Sequence, residues 1–193
     1  MLNIKYKLIN LFNKLKLIFS NPYFGFISGH SHVSEKEIED MKSLIGNSNG
    51  TYVRKFEDKF SKNINLRSLS FAAGRMAFYA LLKVLDIKTG DEIILTGSTC
   101  AVMANAVLRT GAKPVYADIS IETLGTSAES VKNCISKNTK IIVAQHSFGI
   151  PCDILEICKI AKMHNIFLLE DCALTLDSSI NGKKIGSFGD AAL

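Results

Sequence analysis

Lys140–Asp171 reads KIIVAQHSFGIPCDILEICKIAKMHNIFLLED, and this stretch decides the fold. Lys140–Gln145 reads as a strand whose Ile141-Ile142-Val143-Ala144 core is continuously apolar. That pattern belongs to strands covered by helices on both sheet faces. Ile154, Ile157, Cys158 and Ala161 then recur at helical spacing, and Ile166–Glu170 forms a second apolar run that ends against Asp171. Strand, helix and strand in this order predict a right-handed unit with parallel strands.

The same alternation extends outward. A helix from about Gly74 to Asp86 is expected to bury Ala77, Leu81, Val84 and Leu85. The strand Glu92–Thr96, a helix near Thr99–Arg109 and the strand Pro114–Ala117 follow, and Thr126 with Glu129 reads as the cap of a helix carrying Val131, Cys134 and Ile135. Asn181-Gly182 predicts a tight hairpin between Ser178–Ile180 and Lys183–Ile185. The fold class is therefore α/β, a mainly parallel sheet with helices on both faces. Ahead of it, Ser34 with Glu37 forms a capping box before Ile38, Met41 and Ile45. Gly46–Gly50 reads as a loop, and Val53, Phe56 and Phe60 mark a second short helix.

The chain has 193 residues, enough for one domain with a sizeable core, and its net charge of +5 is unevenly spread. Residues 1–20 hold Lys5, Lys7, Lys14 and Lys16 and no acid, whereas the remainder balances 19 bases against 18 acids. A body so close to neutral argues against nucleic acid as a partner. Leu8, Leu11, Phe12, Leu15, Ile18 and Phe19 repeat at helical spacing between those lysines. Residues 1–33 are thus read as a basic amphipathic segment that packs on its own domain or on a partner subunit, with contact to an anionic membrane surface as the alternative. Asn10, Asn13, Lys14 and Lys16 interrupt any signal-peptide core. The five cysteines, Cys100, Cys134, Cys152, Cys158 and Cys172, form no C-x-x-C pair, which argues against a metal site and for reduced thiols in a cytoplasmic protein.

In a parallel sheet, ligands bind at the carboxyl ends of the strands. Three places qualify: Ala73-Gly74-Arg75, Gly97-Ser98-Thr99-Cys100 and Glu170-Asp171-Cys172. Gly74 opens a helix whose first amides suit a phosphate, although such a turn also serves as a plain tight connection. No G-x-G-x-x-G or Walker sequence is present. Asp171 ends an apolar strand, where a carboxylate is costly unless paired. A protonated heterocyclic nitrogen is one partner that justifies it; capping of the following turn is the other reading. His146 reads as a hydrogen-bonded structural histidine rather than a substrate contact, and His164 as a helix-terminal residue.

Taken in order, several motifs resemble the DegT/DnrJ/EryC1/StrS family of sugar aminotransferases over roughly Ser34–Leu193. They are Ala73-Gly74-Arg75, Gly90-Asp91-Glu92, Thr99-Cys100, Asn105-Ala106-Val107, Gly111–Val115, Glu170–Ala173 and Gly186–Ala192. The resemblance implies the large domain of a fold-type-I pyridoxal-phosphate enzyme, usually a homodimer, that aminates a keto group of a nucleotide-linked sugar with glutamate as donor. It implies that the amides at Gly74 and Arg75 hold the cofactor phosphate. It also implies that Asp171 pairs with the pyridine nitrogen and that Cys100 lies against the ring where relatives commonly carry an aromatic.

Two departures accompany the resemblance. Leu174 stands where many members carry Gln or His. The family's phosphate-binding serine and Schiff-base lysine are expected a few residues beyond Leu193, together with the small domain, so residues 34–193 are expected to be an incomplete large domain that does not transaminate alone. Lys183 and Lys184, in the predicted hairpin, are not substitutes for that lysine. A dehydratase of the same family and a non-catalytic binding or dimerisation protein are the rival readings.

Overall fold

Ser34 opens the first of the described helices as its capping box requires. Its backbone N–H donates to Glu37 Oε2 at 2.6 Å, and Glu37 N–H donates back to Ser34 Oγ at 3.2 Å. The computed structural model describes residues 34–44 and 50–193. The chain divides into two units, Met1–Asn49 and Gly50–Leu193. In the first, the described residues form α1 (Glu35–Leu44), with Ile38 and Met41 exposed. The amphipathic stretch, Ile45 and most of the Gly46–Gly50 loop lie outside the described residues.

The second unit begins with α2 (Thr51–Ile64), longer than its three marker residues suggest and closed by Asn65 in the left-handed conformation. Phe56 and Phe60 stack along it at 5.8 Å. Then come α3 (Gly74–Val84), β1 (Glu92–Thr96), α4 (Ala101–Leu108), β2 (Lys113–Ala117), α5 (Ala128–Cys134), β3 (Thr139–Gln145), α6 (Ile154–His164) and β4 (Phe167–Asp171). The short β5 (Ser179–Ile180) and β6 (Lys183–Lys184) form the expected antiparallel hairpin, with Asn181 and Gly182 both at positive φ as a type I′ turn requires. Finally β7 (Ala191–Ala192) adds to the edge beside β4.

The sheet runs β2-β1-β3-β4-β7 with every pairing parallel. Period-two alternation splits the apolar strand residues between two cores. Ile93, Leu95, Ile141, Val143 and Leu169 meet Phe78 and Leu82 of α3 and Met103 and Val107 of α4 on one face. Ile94, Ile142, Ala144 and Leu168 meet Val131 of α5 and Ile154, Ile157 and Ala161 of α6 on the other. Each fully buried Ile or Leu contributes roughly 1.5–3 kcal/mol. This two-sided burial is why the strands read as unbroken apolar runs.

Two local expectations are corrected. In α3 the deepest residues are Phe78 and Leu82, whereas Val84 is 82% exposed. The sequence GRMAFYALLKV is apolar nearly all round, so spacing alone misses the phase by one position. At α5 the cap is Ser127, whose hydroxyl accepts from Ser130 N–H, and not Thr126. The Thr126 hydroxyl turns into the sheet instead, 2.6 Å from Thr96 Oγ1. No helix among the described residues is long and apolar enough to cross a membrane.

Candidate functional site

Strand order places the site. The chain leaves β1 for α4 on one face of the sheet and leaves β3 for α6 on the other, while β1 and β3 are neighbours. Their exit loops diverge at the carboxyl ends, the position where such sheets bind ligands. Thr126 lies between the two strands at this end. Its Oγ1 accepts Gln145 N–H at 2.7 Å and meets the Thr96 hydroxyl, which joins the ends of β1 and β3.

Asp171 ends β4 directly beside Gln145 of β3. Its Oδ1 accepts Ala173 N–H at 3.1 Å, and Oδ2 has no partner among the described residues. Burial pushes its carboxyl above the ordinary value, opposed by the Ala173 bond and by His146. The turn-capping reading of Asp171 is realised by one oxygen, and the other oxygen has no partner among the described residues. Cys100, exposed, occupies the N-cap of α4 after β1. Gly74 and Arg75 open α3 behind Ala73, whose extended backbone offers its carbonyl to Met76 and Ala77 N–H. The amides of Gly74 and Arg75 have no acceptor among the described residues, as the first amides of a helix do not. A Cβ built on Gly74 meets no heavy atom within 4 Å, so space is open beside it.

Sequence reasoning missed what stands next to Asp171. Glu170 is completely buried and accepts four hydrogen bonds: Phe188 N–H at 2.6 Å and Gly189 N–H at 2.7 Å on Oε1, Gly186 N–H at 2.9 Å and His146 Nε2 at 3.2 Å on Oε2. Burial alone would raise its carboxyl, but the His146 bond and the three amides hold it below the ordinary carboxylate value. His146 Nδ1 accepts Cys152 N–H at 3.1 Å, so the ring carries its proton on Nε2 and donates it to Glu170. His146 is the structural histidine expected. The signal for Glu170 was present, an acid at the end of an apolar run, but its partners lie in other segments.

His146, Glu170 and Cys172 place one ligand-type atom each within 4.8 Å of one another. Glu170 has both oxygens engaged and His146 both nitrogens, so the group is a hydrogen-bonded core. Burial, with the charges of Glu170 and Asp171, pushes the Cys172 thiol up to about 12. Lys184 Nζ is taken by Asp177 at 3.0 Å and the Asn63 carbonyl at 3.2 Å, and Lys183 Nζ lies 4.3 Å from the Phe188 ring centre. A cavity of about 360 Å³ lined by Cys158, Lys162, Phe188 and Asp190 sits at the amino end of β4.

Comparison with known proteins gives this geometry a context. The GDP-perosamine synthase of Escherichia coli O157:H7 is 37% identical over 159 residues, which make up 81% of this chain and 44% of that protein. The crystal structure of an aminotransferase from Psychrobacter cryohalolentis superposes with a TM-score of 0.77 at 29% identity, covering 82% of this chain and 42% of that one. An Escherichia coli GDP-4-keto-6-deoxy-D-mannose-3-dehydratase with bound hydrated PLP superposes at 0.71 and 27% identity, over 82% and 43% of the two chains. The chain spans less than half the length of the curated relatives it matches. With the family profile matching residues 32–193, the chain belongs to the DegT/DnrJ/EryC1/StrS aminotransferase family.

Proposed function

We propose that residues 34–193 supply the cofactor-binding part of a pyridoxal-phosphate-dependent aminotransferase that converts a keto group of a nucleotide-linked sugar to an amine, with glutamate as donor. The observation that carries this reading is Asp171, a carboxylate raised by burial with one oxygen free at the carboxyl end of the sheet. A group that brings a protonated nitrogen would satisfy it. The open amides of Gly74 and Arg75 suit a phosphate dianion, and the uncrowded space at Gly74 lets it approach the backbone. The residues present therefore fit the cofactor that the family implies.

When bound, pyridoxal phosphate supplies an electron sink for the carbanion formed on the substrate. This chain's part is to hold and tune it. The α3 amides anchor the phosphate end, Asp171 keeps the ring nitrogen protonated, and Cys100 presents a polarizable sulfur toward the ring. The lysine that exchanges protons with the substrate is assigned, by resemblance, to sequence following the matched motifs. A homodimer in the cytoplasm completes the proposal. The exposed apolar side chains Phe56, Phe71 and Met76 support a covered surface, and five free cysteines suit a reducing compartment.

The test supplies the full gene product with pyridoxal phosphate, nucleotide-linked keto sugars and ¹⁵N-glutamate. Transfer of ¹⁵N to the sugar supports the proposal. Its absence across all such sugars, despite cofactor uptake, refutes it. The likeness to a dehydratase favours one second reading, dehydration on the same scaffold. Loss of water from the sugar with no ¹⁵N incorporated would select it.

A further inference from the structure

A carboxylate at zero exposure is a costly thing to keep in a core, and single partners seldom offset it. Glu170 is kept by four donors drawn from two places: its own strand's neighbour through His146, and the Gly186–Gly189 connection through three amides. Packing alone does not require this, because an apolar residue of similar volume fills such a position without the desolvation cost. The arrangement does fix the end of β4. His146 N–H donates to the Asp171 carbonyl at 3.1 Å, and the His146 carbonyl accepts the Thr175 hydroxyl at 3.3 Å. Leu193 N–H donates to the Glu170 carbonyl, and Cys172 N–H to the Leu193 carbonyl, both at 2.9 Å. The main chain on either side of Asp171 is thus held by bonds that converge on His146, Glu170 and the strand they secure. Among the described residues, the Asp171 side chain itself has only the Ala173 amide to orient it.

We propose that Glu170 and His146 are positioning residues for Asp171, holding its free oxygen in line with the ring nitrogen of a pyridoxal-type cofactor. The role rests on the cofactor reading above. Neither residue touches the cofactor; both act through the backbone that carries Asp171. Glu170→Gln places an amide NH₂ against a backbone N–H or the His146 Nε2–H, so one edge of the clamp opens. His146→Leu removes the donor to Glu170 and the acceptor for Cys152 N–H together. His146→Gln can supply both a donor and an acceptor and serves as the conservative rescue.

The experiment loads the full gene product with pyridoxal phosphate labelled with ¹⁵N in the ring and reads the nitrogen's chemical shift. Wild type should show a protonated nitrogen and Asp171→Asn an unprotonated one. Glu170→Gln and His146→Leu should move the signal toward the unprotonated position and weaken cofactor binding roughly tenfold, the scale of one lost charge-assisted hydrogen bond. His146→Gln should stay near wild type. Amide hydrogen exchange without cofactor should show Gly186, Phe188 and Gly189 losing protection in Glu170→Gln. Should Glu170→Gln fail to fold, the contrast between His146→Leu and His146→Gln decides. An unshifted signal in the folded variants overturns the positioning role and leaves the cofactor reading standing. A wild-type protein that binds no cofactor, or an Asp171→Asn signal identical to wild type, overturns the cofactor reading and this role with it.

Discussion

Thr126→Val separates two accounts of one residue. If Thr126 capped α5, its loss would cost about 1 kcal/mol and would act on the helix alone. The structure puts its hydroxyl in the sheet, fully buried, between Gln145 N–H at 2.7 Å and Thr96 Oγ1 at 2.6 Å. Valine is close to isosteric, so no cavity opens and the whole effect is polar. The substitution leaves Gln145 N–H and the Thr96 hydroxyl buried without that partner, at about 1–3 kcal/mol for each orphaned group. The backbone bond from Thr126 N–H to the Gln145 carbonyl survives. We expect a total of about 2–4 kcal/mol, because the freed Thr96 hydroxyl can rotate. Urea denaturation followed by circular dichroism should show a lower midpoint at an unchanged slope. Thr96→Val in the Thr126→Val background removes one orphan, so the double variant should be less destabilised than the sum of the singles by about 1 kcal/mol or more. A loss below about 0.5 kcal/mol for Thr126→Val, or strict additivity of the pair, would refute the reasoning.

Three further outcomes follow from the same geometry. Glu170 sits below its ordinary value of 4.5, so its contribution is present above that pH and lost as pH falls through the lower folded value; the stability gap between wild type and Glu170→Gln, read as urea midpoints, should narrow on acidification. Alkylation of the native protein read by mass spectrometry should label exposed Cys100 first and spare Cys152 and Cys172, whose thiols burial raises; labelling of Cys172 at the rate of Cys100 would contradict the buried site. Gly189→Ala brings a Cβ to 2.7 Å from the Leu168 carbonyl, where the backbone has little room to yield, and should cost about 1–3 kcal/mol in thermal or urea unfolding.

Much of the fold was readable because its determinants are local. The capping box at Ser34, the Asn181-Gly182 turn and the alternation of helical spacing with apolar runs each lie within a few residues, and each was found at its expected place. Phase in α3 was not readable, because an almost wholly apolar helix presents no polar face to set it. Asp171 stood out as a charged residue ending an apolar strand, and Gly74 as a small residue opening a helix. Cys100 stood in a strand-end segment, Gly97-Ser98-Thr99-Cys100, and only the family resemblance gave it a role against a ring.

From its sequence alone this protein is an α/β parallel-sheet domain of a recognisable aminotransferase family, since strand burial and helix spacing are written in periods of a few residues. Tertiary structure alone decided that Thr126 joins two strands and that Glu170 is held by His146 and the Gly186–Gly189 amides. Their partners are 16 to 30 residues away in the chain. Hydrogen bonds of that range depend on strand order and register, which no local pattern encodes. A buried carboxylate and an exposed one look alike in a sequence; only the donors brought around Glu170 by the sheet make it a clamp.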